Sequence, residues 1–243
     1  IFNFHRRPIL AKMAKWILSS FDVIITLAKK SRDELTAIGL SGGKMKLCTH
    51  WVDLNEFRPL NRNKCKENLG LNRKFVILFV GRFIAKKGID VLLDVASEVN
   101  PEVVFAFIGD GPLSAKIRER ARDQQNIIFV GKVPKEDLVR YYNAADSLII
   151  PSQYEELFGR VVIEALACGT PVIASNKGTL PEIVDPSVGI VVDPSREDIV
   201  KVVNFLYENP EQLARMRSNC RHYASANFSE KNAEDIASAY KID

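Results

Sequence analysis

The sequence predicts an α/β fold, a doubly wound parallel sheet of the Rossmann kind, and three observations carry that expectation. From position 75 onward, short runs rich in Val and Ile recur without polar alternation: Phe75 to Val80, Val103 to Ile108, Ile127 to Val130, Ser147 to Ile150, Val172 to Ala174 and Ile190 to Val192. Such runs are expected of strands buried on both faces. Between them lie stretches with helical periodicity, and strand, helix, strand repeated in this way forces right-handed crossovers onto one sheet. The 243 residues, 47% hydrophobic and 26% charged, supply a sizeable core and exclude disordered, collagenous and small disulfide-scaffold classes.

In chain order, Ile9, Leu10, Met13, Trp16 and Ile17 form one face of a first helix, with Lys12 and Lys15 away from it. Val23 to Thr26 reads as a strand, and Ser31 with Glu34 has the spacing of a capping box opening a helix that stops at Gly39. This is a βα unit severed from its sheet, and with Ile at position 1 the chain is expected to be the later part of something longer. Pro59 and the Asn and Arg residues up to Asn63 interrupt the pattern. The expected division is therefore residues 1–58 as the terminal part of an amino-terminal domain plus linker, 59–226 as the Rossmann-like domain, and 227–243 as a closing helix from about Ser229 to Ile242. Within the middle part, Ile89, Leu92, Leu93 and Ala96 define one helix, Leu113, Ile117 and Ala121 a second, and Leu138, Tyr141 and Tyr142, after Pro134, a third.

Composition narrows the function classes. The longest apolar run, Phe75 to Val80, is far short of the roughly 20 residues that span a bilayer. Net charge is only +4, too small to imply a nucleic-acid partner, but it is uneven: residues 1–50 hold nine Lys/Arg against three Asp/Glu, and the remainder 25 against 27. Cys48, Cys65, Cys168 and Cys220 are scattered and there are three His, so neither a zinc site nor a disulfide framework is indicated, and a cytoplasmic location is expected. Trp16 on a basic amphipathic helix suits either peripheral contact with anionic lipid through residues 9–20 or packing against a further domain.

Ligands in such sheets sit at the carboxyl ends of the strands, and two constellations fall there. After the first long strand come Gly81-Arg82 and then Lys86-Lys87-Gly88 leading into a helix; the glycines let backbone approach a ligand, and Arg82 and Lys87 can converge on one anionic group. Gly88 is followed by Ile89, so this is not a Walker loop, and Gly109-Asp110-Gly111 lacks the third glycine of the dinucleotide fingerprint. The second is Glu156-Leu-Phe-Gly-Arg-Val-Val-Ile-Glu164: a loop carboxylate, a helix start with free N–H groups near Phe158, Gly159, Arg160 and Val161, and a carboxylate two turns into the helix. Glu164 is flanked by Val161, Val162, Ile163, Ala165, Leu166 and Ala167, so it needs a polar partner. These groups can hold a sugar, a phosphate and a ribose. The ordinary alternatives are surface cations on a loop, and carboxylates favoured near a helix start or on its solvent face.

As an ordered set, Gly81-Arg82, Lys87-Gly88, Gly109-Asp110-Gly111, Glu156 with Glu164, Gly169-Thr170-Pro171-Val172 and Gly178 to Glu182 resemble the nucleotide-sugar-binding domain of retaining glycosyltransferases of family four, which have the two-domain GT-B fold. The resemblance covers about residues 20 to 243. It implies that Arg82 and Lys87 bind the donor diphosphate, Glu164 the ribose hydroxyls and Glu156 the donor sugar, with Gly81, Gly109 and the amides of Phe158 to Val161 alongside and Lys132 and Val133 by the nucleobase. It implies transfer of the sugar, with retention, to a hydroxyl on a glycan, lipid or small molecule. No Asp-X-Asp pair occurs in the chain, so no cofactor and no metal are expected, and the cations and a helix start are left to stabilise the departing diphosphate. Two departures stand out: Thr179 occupies the second glycine position of the usual Gly-Gly-Leu-Pro-Glu run, and Arg160 adds a cation that either touches the donor or pairs at the surface. His5, His50 and His222 carry no expected catalytic role. The rival readings are an epimerase or phosphorylase on the same fold, and a non-catalytic nucleotide-sugar-binding subunit.

Overall fold

Residues 7–72 and 74–240 are described by the computed structural model. The amino-terminal unit comprises α1 (Pro8–Ser19), β1 (Ile24–Thr26), α2 (Lys29–Ala37) and β2 (Met45–Leu47), with β1 and β2 paired in parallel. Pro8 opens α1, where its missing N–H costs nothing. The helix packs through Ala11, Ala14 and Leu18 against Leu35, Leu40 and Met45. Its larger apolar face is exposed, with Trp16 81% accessible.

The capping-box expectation for α2 is corrected. The helix begins at Lys29 after Ala28, which has no side-chain cap. Its first two N–H groups are instead held by a carboxylate far along the chain, Glu182, so the local sequence signal is overruled by a tertiary contact.

The larger unit begins with α3 (Arg62–Asn68), capped by Asn61, whose side chain accepts from the Lys64 N–H at 3.0 Å. Strands β3 (Phe75–Val80), β4 (Val103–Ile108), β5 (Ile127–Gly131), β6 (Ser147–Ile150), β7 (Val172–Ser175) and β8 (Gly189–Val192) form one parallel sheet in the order β5-β4-β3-β6-β7-β8. The strand-forming runs read from sequence are these six strands.

Side-chain alternation along β3 builds both layers. Val76 and Leu78 join a core under α3, α6 (Lys135–Ala144), α7 (Arg160–Ala167) and α10 (Pro210–Asn227), while Ile77 and Phe79 join one under α4 (Ile89–Val95), α5 (Ser114–Asp123) and α9 (Arg196–Glu208). A short helix, α8 (Leu180–Ile183), lies between β7 and β8. The closing helix is shorter than expected: α11 runs Lys231–Ala239, and Ile242 lies outside the described residues.

The polypeptide passes between the units near residues 50–57, and this passage is bound to the end of α10 and the residues that follow it. Val52 N–H donates to Phe228 O at 2.9 Å, Asn232 Nδ2 to His50 O at 3.0 Å, and Arg221 to Phe57 O and Leu54 O at 2.7 and 2.8 Å. Among the described residues no helix is long and apolar enough to cross a membrane.

Candidate functional site

The strand order places β3 between β4 and β6. The chain leaves β3 through α4 toward one layer and leaves β6 through α7 toward the other, so a crevice opens at the carboxyl ends where the winding reverses. The loop after β3 carries Gly81, Arg82 and Lys87; the loop after β6 carries Glu156 and the start of α7.

Two glycines make the close approach of these loops possible. Gly88 has φ +78°, and a Cβ there would lie 2.3 Å from Pro151 O at the end of β6. Gly178 has φ +65°, and a Cβ there would lie 2.2 Å from Glu156 O. Thr179 is accommodated because its φ is −97°, an ordinary helical value; only Gly178 carries the left-handed turn. Its hydroxyl donates to Leu157 O at 3.0 Å and its N–H to Glu156 O at 3.0 Å, so the departure from glycine adds a tie to the Glu156 loop.

Across the crevice Lys87 Nζ is ion-paired with Glu156 Oε1. The Glu156 carboxylate, 7% exposed, also accepts from Ser152 Oγ at 2.5 Å and Tyr154 Oη at 3.0 Å, and Lys87 Nζ sits 5.4 Å from the Tyr154 ring centroid. Burial alone pulls the Lys87 ammonium down, but the hydrogen bond and charge of Glu156, helped by Tyr154, more than offset it and leave it raised. Lysine and carboxylate, given separate roles from sequence, therefore form one unit. Ser152 and Tyr154 were missed; the signal for them was the loop carboxylate itself, which needs donors nearby once buried.

Arg82 is exposed on the same loop, and its guanidinium makes no hydrogen bond or ion pair among the described residues. Gly81 N–H donates to Ile108 O at 3.0 Å and Gly109 N–H to Gly131 O at 2.9 Å, which stitches the ends of β3, β4 and β5 side by side. Lys132 and Val133 follow at that edge, the lysine exposed and the valine half-buried. The Asp110 carboxyl lies below its ordinary range because Ser114 Oγ, at 2.8 Å, and Gly111 N–H, at 2.7 Å, donate to it.

Glu164 finds the partner its apolar neighbours demanded: Tyr142 Oη on α6 donates to it at 2.8 Å. Burial raises the Glu164 carboxyl, partly opposed by that bond and by Arg160 and Lys135. Tyr142 was legible only as a core residue of its helix face; that its hydroxyl meets Glu164 is a tertiary fact.

No side chain caps α7, whose N-cap is Gly159; the Arg160 and Val162 N–H groups donate to Phe158 O and Gly159 O at 3.2 and 2.8 Å. Arg160 is exposed and in no ion pair among the described residues, so the surface-pairing option for it is not seen. With His50, Asp53, Glu56, Lys135 and Glu164 it lines a cavity of about 260 Å³. His50 lies edge-on to Phe158, ring centroids 4.5 Å apart, and its imidazole is lowered by burial and then by Arg160. His222 is exposed on α10, and His5 lies outside the described residues. Among the described residues no group of three or more His, Cys, Asp and Glu is gathered as for a metal ion.

A cation–carboxylate pair at the winding reversal, a glycine-lined sheet edge and a second carboxylate inside α7 are the geometry, and the family model for glycosyl transferases group 1 matches residues 61–223, which hold all of it. The chain belongs to the group 1 glycosyltransferases. This group 1 chain is 34% identical over 208 residues to an uncharacterised 41.2 kDa protein in the cps region of Klebsiella pneumoniae, covering 83% of this chain and 55% of that protein. It is 34% identical over 231 residues to D-inositol 3-phosphate glycosyltransferase 2 of Catenulispora acidiphila, covering 86% and 53%. The crystal structure of Anabaena Alr3699/HepE in complex with UDP superposes with a TM-score of 0.85 at 22% identity, over 96% of this chain and 68% of that one, which shows a shared GT-B fold. The chain spans about half the length of the curated relatives it matches.

Proposed function

We propose that this chain is the donor-binding part of a retaining, metal-independent glycosyltransferase that moves a sugar from a nucleotide diphosphate sugar to a hydroxyl on a glycan, lipid or small molecule. The single observation that carries the reading is the Lys87–Glu156 pair bridging the switch-point crevice, beside an unpaired Arg82 and a start of α7 that no side chain caps. In the transfer, the bond from the anomeric carbon to the diphosphate breaks, a bond to the acceptor oxygen forms, negative charge grows on the departing diphosphate, and the acceptor's proton leaves with it. Arg82, Lys87 and the first amides of α7 meet that charge as it develops. Glu156 holds sugar hydroxyls, Glu164 the ribose, and Lys132 and Val133 the base. The division into residues 1–58, 59–226 and 227–243 belongs to the same reading.

The test is thermal-shift screening against UDP-, GDP- and ADP-sugars, with and without chelator, followed by calorimetry. Stabilisation by one donor class, unchanged by chelator, is expected; about 2.7 kcal/mol accompanies a hundredfold excess over Kd. Glu164→Gln is expected to weaken the bare nucleotide, whereas Glu156→Gln spares it and harms only the sugar-dependent part. The reverse pattern means the two roles are exchanged, and no response to any nucleotide sinks the reading. Donor hydrolysis by this chain separates an enzyme from a binding subunit; a need for inorganic phosphate, or product without acceptor, selects the phosphorylase or the epimerase.

The exposed apolar face of α1, with Lys12 and Lys15 to one side of it, supports peripheral contact with anionic lipid at a cytoplasmic membrane face through residues 9–20. Salt-sensitive binding to anionic vesicles, lost when both lysines are changed to glutamate, is the expected result. Absence of vesicle binding by the unchanged chain would assign that face to packing against protein.

A further inference from the structure

The start of α2 is capped from the other unit. Lys29 N–H donates to Glu182 Oε2 at 2.8 Å and Lys30 N–H to Oε1 at 2.9 Å, so a single carboxylate on α8 claims the first two amides of a helix some 150 residues earlier in the chain. The Ala28 position, where a serine or threonine ordinarily supplies such a cap, offers none. Lys30 Nζ is also ion-paired with Glu155, but those side chains are 38% and 41% exposed, and a pair so accessible contributes little. The two-pronged, charge-assisted contact of Glu182 is the stronger tie.

Glu182 is in turn linked, through the turn that precedes it, to the backbone of the proposed sugar-side residue, Glu156. Three residues earlier, Thr179 holds Glu156 O and Leu157 O through its N–H and hydroxyl, each at 3.0 Å, and Gly178 presses against the Glu156 backbone. Glu182 N–H closes the turn onto Thr179 O at 2.9 Å. Beside this chain of contacts the units do not close on one another: Leu27, Lys29 and Leu47 face Phe158, Glu182 and Phe228 across a cavity of about 540 Å³. The link from α2 to the Glu156 loop therefore runs through a few directional bonds.

We propose that Glu182 is a positioning residue: its carboxylate caps α2 in the amino-terminal unit and, through the Gly178–Thr179 turn, holds the loop that carries Glu156 in place for the donor sugar. The catalytic consequence rests on the function proposed above; the mechanical link does not. Docking of the amino-terminal unit then sets the sugar-side carboxylate, while the diphosphate and ribose contacts, which belong wholly to the larger unit, are left alone.

The experiment is hydrogen exchange on the 243-residue chain, comparing wild type, Glu182→Ala, Glu182→Gln and Glu182→Ala with Ala28→Ser. In Glu182→Ala the first-turn amides of α2 and the segment 155–158 are expected to exchange about fivefold faster or more, the loss of one helix cap, with α4 and β3 unchanged. Gln, which keeps one carbonyl acceptor, should retain part of the protection. Adding Ala28→Ser supplies a local cap, so α2 should recover while 155–158 does not. Recovery of both, or no change in Glu182→Ala, overturns the link. Calorimetry adds the functional arm: Glu182→Ala should weaken the nucleotide sugar and spare the nucleoside diphosphate. Equal loss of both makes the residue merely structural. If wild type binds neither, the functional reading has failed, and the exchange result still decides whether the link exists.

Discussion

Substituting Lys87 by alanine is expected to damage stability and diphosphate binding together, and to do so separably. The Glu156 carboxylate is 7% exposed and has Lys87 as its only cationic partner among the described residues. Its remaining donors are the neutral hydroxyls of Ser152 and Tyr154. Breaking a buried pair from one side costs about 3–5 kcal/mol, because the surviving charge is left uncompensated. Lys87→Ala should therefore lower the unfolding free energy by an amount in that range, read as a lower denaturant midpoint, and adding Glu156→Gln, which removes the orphaned charge, should recover most of it. Binding should not recover with it. A lost charge-assisted bond to phosphate is worth roughly 1.5 to 3 kcal/mol, ten- to a hundredfold in affinity, so both variants should bind a nucleoside diphosphate weakly while the free nucleoside is nearly unaffected. Equal loss for nucleoside and diphosphate in calorimetry would remove Lys87 from the phosphate site; a double variant as unstable as the single one would mean that the pair is not what holds the loops.

Asp146 should show an effect of similar size at the opposite edge of the sheet, with no bearing on donor recognition. It precedes β6 and accepts from Lys66 Nζ at 2.7 Å, from the Val76 N–H at 2.8 Å and from Arg62. Burial pulls Lys66 down against the attraction of Asp146, and Arg217, which donates to Asp146 O at 3.0 Å, is lowered to about 10 by burial and then by Arg62. Two cations, Arg62 and Lys66, thus share one carboxylate, with Arg217 on the backbone carbonyl beside it, in a site where Lys66 and Asp146 are 11% and 8% exposed. Asp146→Asn leaves them facing one another and should cost about 3–5 kcal/mol, a large part of the 5–15 kcal/mol that holds a domain together. The denaturant midpoint should fall with an unchanged slope, and Lys66→Met in the same chain should restore part of it. An undiminished midpoint would show that the cations are solvated where the structure buries them. Nucleotide affinity, measured well below the shifted melting temperature, should be that of wild type.

These two pairs illustrate why some of the molecule was legible and some was not. Phe75 to Val80, Val103 to Ile108 and Ser147 to Ile150 were read to the residue, since a strand covered on both faces must be apolar throughout and the turn residues beyond it must not be. β2 was not read, because Met45-Lys46-Leu47 has a charged residue at its centre and no Val or Ile, unlike the equally short β1. α3 falls where Pro59 and its polar neighbours suggested only a boundary; its Asn61 cap is a helix signal that the loop-like composition masked. The mixed character of Glu164 within an apolar run said that a partner exists, without saying that it is Tyr142. The start of α2 was misplaced because Ser31 and Glu34 offer a plausible local cap, and the two bonds from Glu182 are stronger than that offer.

By itself, then, the sequence determined the doubly wound sheet and which glycines, cations and carboxylates follow the carboxyl ends of its strands, because periodicity, glycine placement and motif spacing are local quantities written along the chain. Which of those residues touch was decided only in three dimensions. Lys87 on Glu156, Asp146 on Lys66 and Glu182 on α2 join positions 69, 80 and about 150 residues apart. The free energy of such contacts comes from burial and from charge brought close in a poorly screened place, and neither exists until the two layers have closed on the sheet.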